Sequence, residues 1–152
     1  MLEQRMKSLI LTSILLIAAN CLAYTGQEAF EFVKYYRPYQ NSYESIETIC
    51  AIYANRLFYN TDFKTWLYDK LTEDIFIVTA VFSVSKPKPE VLEDSSVFAK
   101  TEIADKENEL RLEWRVDMNN EDVRPHNDLA KDSLNFYEKM LEKLGVTLKR
   151  NF

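Results

Sequence analysis

From Thr25 onward the apolar residues recur at helical spacing. Thr25-Gly26-Gln27-Glu28 has the form of a capping box, in which a hydroxyl and a carboxylate three residues apart satisfy each other's backbone donors. Ala29, Phe30, Phe32, Val33 and Tyr36 then form one apolar side. The pattern predicts a short helix that ends before Pro38, because proline disfavours helical geometry at Arg37. Ile46, Ile49, Cys50, Tyr53, Ala54 and Leu57 predict a second helix with Asn41 or Ser42 as its N-cap. Asn60-Thr61-Asp62 reads as a break and a new cap. Phe63, Trp66, Leu67 and Leu71 continue the three-to-four spacing beyond it, so the amino-terminal half is expected to be helical.

At Ile75 the period changes. Ile75–Ser85 is rich in β-branched and aromatic residues, the composition of a central strand. Phe76, Val78, Ala80, Phe82 and Val84 share one face, while Ile75, Ile77 and Val81 make the other partly apolar, so both faces are expected to be covered there. Residues 86–96 carry two prolines, charges and serines without periodicity and read as a solvated loop. Val97–Ala104 is expected to be another strand. Leu110, Leu112, Trp114, Val116 and Met118 alternate with Arg111, Glu113, Arg115 and Asp117, which predicts a strand with one face in water. Pro125 to Asp128 introduces a last amphipathic helix, and Gly145 suits its carboxy-terminal cap.

These elements predict one α+β domain over residues 24–152. N-terminal helices pack on an antiparallel meander of three strands, or four, closed by a C-terminal amphipathic helix. The layout resembles that of nuclear-transport-factor-like and cystatin-like domains in topology. The cystatin Gln-x-Val-x-Gly hairpin is absent, so no inhibitor residues carry over.

The chain opens differently. Arg5 and Lys7 precede the 11-residue apolar stretch Leu9–Ala19, and small residues follow near Ala23. Residues 1–23 therefore read as a secretory signal, too short in its apolar core for a span of roughly 20 residues. Met6-Lys7 offers an alternative start to Met1. Cleavage after Ala23 competes with lipidation at Cys21, where Ala18-Ala19-Asn20-Cys21 resembles a lipobox but carries Asn20 in place of a small residue. The expected location is periplasmic or secreted, with a lipid anchor as the variant and no lasting transmembrane span.

Composition narrows the chemistry. Of the 152 residues, 47% are hydrophobic and 13% aromatic, enough for one globular core rather than a disordered chain. Without residues 1–23 the chain has 17 basic and 23 acidic side chains, a net charge of −6 that disfavours nucleic acid. Gly26 and Gly145 are its only glycines, so no glycine-rich phosphate cradle is expected. One histidine, His126, and one cysteine, Cys50, leave no Cys/His zinc cluster and no histidine-rich triad. No cofactor or metal is expected. Cys50 reads as a small buried hydrophobe, and Trp66 and Trp114 as core. His126 beside the cap Asn127, and the carboxylate pairs Glu109/Glu113 and Glu73/Asp74, read as local polar structure rather than acid/base machinery.

What remains distinctive is Tyr35-Tyr36-Arg37-Pro38-Tyr39-Gln40-Asn41-Ser42-Tyr43, with four tyrosines around one arginine. Tyrosine and arginine are enriched where proteins touch. Tyr35, Tyr36, Arg37, Tyr39 and Tyr43 are the candidate partner-binding residues, against the alternative that they line the core edge. The expectation is an exported, non-catalytic accessory or interaction protein of the bacterial cell envelope. Two alternatives stand beside it: a small-molecule carrier or sensor with a pocket lined by Tyr53, Phe76, Phe82 and Trp114, and a carboxylate/His126 envelope hydrolase.

Overall fold

A computed structural model describes residues 23–85, 88 and 108–152. Two helices come first, α1 (Gly26–Tyr35) and α2 (Ile46–Leu57). Four strands follow: β1 (Thr61–Lys70), β2 (Ile75–Val84), β3 (Glu109–Asp117) and β4 (Asp122–Pro125). Helix α3 (Asp128–Glu142) closes the domain. The strands form one antiparallel sheet in the order β1-β2-β3-β4, and the three helices pack on one side of it. The class is α+β, with helices at the beginning, a meander and a covering helix.

Local chemistry sets the helix ends. The Glu28 backbone N–H donates to Thr25 Oγ1 at 3.2 Å, and the Thr25 N–H donates back to Glu28 Oε2 at 2.7 Å, completing the capping box of α1. Helix α2 starts later than its sequence implies: Ser45 is the N-cap, accepting from the Thr48 N–H, and not Asn41 or Ser42. Asn41 is engaged elsewhere. Its amide donates to the Thr147 carbonyl at 2.8 Å, and its oxygen accepts from the Lys149 N–H at 3.1 Å. At the end of α3, Gly145 adopts φ 80°, which favours glycine. The Gly145 N–H donates to Glu142 O and the Val146 N–H to Leu141 O, the paired bonds of a Schellman cap.

The expected helix over Phe63–Leu71 is instead the edge strand β1. A bulge between Phe63 and Thr65 is the reason. Phe63 pairs with Phe82 and Thr65 with Val81, leaving Lys64 as the extra residue. Phe63, Trp66 and Tyr68 therefore share a face although Phe63 and Trp66 are three residues apart, a spacing that imitates a helix. Strand β4 is a further departure, since Pro125 ends a four-residue strand before the helix begins. Val97–Ala104, most of the loop 86–96, the bulk of the signal segment and Cys21 lie outside the described residues.

The core lies between sheet and helices. Phe76, Val78, Ala80, Phe82 and Val84 of β2 and Leu110, Leu112, Trp114 and Val116 of β3 meet Val33, Ile49, Cys50, Tyr53, Leu134 and Tyr137 from the helices. Trp114 is fully buried and Trp66 half-buried against this cluster. The far face of β2 is also covered: Ile77 is 7% and Val81 1% exposed. They stand between Asp69 and Thr65 of β1 and Arg115 and Arg111 of β3. Helix α1 approaches β1 so closely that a Cβ on Gly26 would lie 1.9 Å from Tyr68 Cε2.

Candidate functional site

The tyrosine-rich segment follows from the end of α1. Pro38 keeps Arg37 out of helical geometry, so the chain extends after Tyr36 and its backbone groups need other partners. The C-terminal tail supplies them. The Gln40 N–H donates to Lys149 O at 2.9 Å and the Asn151 N–H to Pro38 O at 2.9 Å, while the Asn151 amide donates to Arg37 O at 2.7 Å. Tyr39 faces Arg150 in an isolated antiparallel bridge.

This pairing divides the candidate residues. Tyr39 turns inward: it is buried, its hydroxyl donates to the Leu134 carbonyl at 3.2 Å, and its ring lies 5.8 Å from that of Tyr137. Burial, and after it the charge of Glu138, pushes its phenol well above the usual range. Its role is to fasten the segment to α3. Tyr35 and Tyr43 turn outward, 61% and 86% exposed. The Arg37 guanidinium carbon lies 5.5 Å from the Tyr43 ring centroid, and Lys34 Nζ lies 4.9 Å from that of Tyr35. Tyr36 is half-buried, with its ring 5.8 Å from Phe32. Its phenol pKa is raised, chiefly by burial and then by the nearby charge of Asp122.

Three of these residues line one open groove. Glu31, Phe32, Tyr35, Tyr36 and Arg37 come from α1 and the residues after it, and Glu121 comes from the β3–β4 turn. Its volume is about 550 Å³. Glu121 has a φ of 52°, an uncommon conformation for glutamate. Among the described residues neither Glu31 nor Glu121 is in an ion pair. Glu31 and Phe32 could have been found from the helical face they share with Tyr35 and Tyr36. Nothing local in the sequence signals that Glu121 joins them.

The remaining candidates are dispersed. His126 is exposed, and its backbone N–H donates to Glu113 O at 2.8 Å. Glu109 pairs with Lys64 at 2.6 Å and Arg111 at 2.8 Å, and these two contacts hold its carboxyl below the usual 4.5. Glu113 lies four residues along the same strand, roughly 13 Å away, farther than two carboxyls acting on one bond. Glu73 accepts from Lys70 at 3.2 Å in the β1–β2 turn, where Asp74 is half-buried. Tyr53, Phe76, Phe82 and Trp114 all belong to the buried core cluster. Cys50 is buried, and burial pushes its thiol far above the usual range.

Among the described residues no group of three or more His, Cys, Asp and Glu side chains could hold a metal ion. Among them, too, no helix is long and apolar enough to cross a membrane. No family model, no curated protein and no solved structure matches this chain.

Proposed function

We propose that this chain is an exported accessory protein of the bacterial cell envelope, which binds a protein partner without catalysing a reaction. The partner-binding surface is Tyr35, Tyr36, Arg37 and Tyr43. One observation carries this reading: within a single segment Tyr39 and Asn41 are spent on holding the fold, whereas Tyr35, Arg37 and Tyr43 project large amphipathic side chains into solvent. Such side chains gain contact area on association at low conformational cost. Export rests on Arg5 and Lys7 before Leu9–Ala19.

The test is site-specific photo-crosslinking in intact cells, with the crosslinker at Tyr43 or, as control, at the exposed Lys131 of α3, outside the groove. A discrete adduct from position 43 that Tyr35→Ala removes supports the reading. The absence of any adduct specific to position 43 overturns it. Cell fractionation with intact-mass measurement tests export separately, and a full-length chain in the cytosol counts against it.

A further inference from the structure

We propose that the groove between α1 and the β3–β4 turn receives one basic side chain, arginine or lysine, from a peptide segment of the partner. This rests on the partner-binding reading above and adds the chemistry of what is bound. Aromatic residues supply three parts of the lining: half-buried Phe32 and Tyr36, and exposed Tyr35. Aromatic faces attract cations through the ring quadrupole, and arginine stacks on them especially well.

Charge points the same way. Glu31 and Glu121 contribute two carboxylates to the lining, neither of them in an ion pair among the described residues. Arg37 is the single cation among the described lining residues, and its guanidinium carbon lies 5.5 Å from the Tyr43 ring centroid, while Lys34 at the edge pairs with Glu47 and lies over the Tyr35 ring. An anion entering the groove would meet two like charges. A guanidinium or ammonium meets two carboxylates and the rings of Phe32 and Tyr36, with the Tyr35 ring shared with Lys34. The space of about 550 Å³ falls in the range of ordinary ligand sites and accepts such a side chain with its adjoining backbone. Residues 24–152, at net −6, also favour the approach of a basic segment over long range.

The experiment is an NMR titration of the purified protein with acetyl-Ala-Ala-Arg-Ala-Ala-amide. The citrulline peptide, of the same shape without the charge, serves as comparison. The arginine peptide is expected to move the resonances of Glu31, Phe32, Tyr35 and Glu121 saturably, and to bind about fivefold or more tightly than the citrulline peptide. The double variant Glu31→Gln/Glu121→Gln is expected to erase that preference while its thermal melt stays close to the parent's. Equal binding of the two peptides, shifts confined to other surfaces, or no saturable shift at millimolar peptide overturns the inference. Crosslinking from Tyr43 reads the partner surface independently. An adduct without arginine preference sinks only the basic-side-chain assignment. Arginine preference without an adduct sinks only the envelope-partner reading.

Discussion

The side-chain amide of Asn127 donates to the Arg111 carbonyl at 3.0 Å, and through this bond a helix cap continues the sheet. Asn127 Oδ1 accepts from the Glu113 N–H at 3.2 Å and from the Ala130 N–H at 2.9 Å. Strand β4 stops at Pro125, opposite Trp114, and the asparagine amide takes over pairing with β3 beyond that point. It thereby ties α3 to the strand that carries Trp114.

Replacing Asn127 with alanine is therefore expected to cost more than an ordinary cap, about 2–3 kcal/mol. Cap removal typically costs about 1 kcal/mol, and two half-buried backbone groups of β3 lose partners as well. Asn127→Asp keeps both acceptor contacts but sets a carboxylate against the Arg111 carbonyl, so its cost should fall between parent and alanine. Urea unfolding checks the order, and an alanine variant within about 0.5 kcal/mol of the parent would refute the double role.

Glu121 gives the opposite sign. With φ at 52° it holds a conformation that costs a residue with a side chain about 1 kcal/mol relative to glycine. Glu121→Gly is expected to raise stability by a few tenths to about 1 kcal/mol in urea unfolding. The same change removes a carboxylate from the groove, so stability should rise while preference for the arginine peptide falls. A stability loss would show that the carboxylate contributes to the fold itself.

Much of this architecture was legible because local rules and tertiary contacts agree. Thr25 and Glu28 form the predicted cap, the apolar positions of β3 face the core, and Gly145 ends α3 with positive φ. Misreadings arise where a distant partner overrides the local signal. Asn41 looks like a cap but is drawn to the C-terminal tail, 106 residues along the chain. The Lys64 bulge turns an alternating strand into a three-residue step, and β4 is too short to show a period. The groove was half visible, since Tyr35, Tyr36 and Arg37 are consecutive, whereas Glu121 enters only through the meander.

Acid should weaken the fold through three carboxylates. Glu28, hydrogen-bonded first by the Thr25 N–H, and Glu109, held by Lys64 and then Arg111, both lie below their ordinary 4.5. Asp117 lies below 3.8, chiefly through the Asn120 amide. In each case the folded state releases its proton more readily than the unfolded chain, so stability is fully present above about pH 4.5 and falls as pH drops through the folded values. Glu28 is exposed, and Glu109 and Asp117 are half-buried at the two ends of β3, so the loss per group is small and largely screened by solvent and salt. Urea midpoints measured from pH 6 to about pH 3 should decline, and Glu109→Gln should flatten that decline. An unchanged slope in the variant would show that Glu109 takes no part.

Cys50 reports on the core. Its side chain leaves α2 and is buried against the sheet, with the Trp114 indole as the polar group near it. Burial opposes thiolate formation more strongly than the indole favours it, so the thiol stays protonated and shielded. On a Cys21→Ala background, where one thiol remains, Ellman's reagent should react with Cys50 only when the domain opens. Labelling in buffer is then slower than in urea by the folding equilibrium constant, about a thousandfold or more for an ordinary domain. Among the described residues Trp114 Nε1 has no hydrogen-bond partner, the neutral thiol being a weak acceptor, and Cys50→Ser offers that indole an oxygen acceptor instead. The serine variant should therefore lose less stability than a buried hydroxyl without a partner, whose cost is about 1–3 kcal/mol. Fast labelling of the folded protein would mean that Cys50 is not enclosed between α2 and β3, and the core described around Trp114 would have to be redrawn.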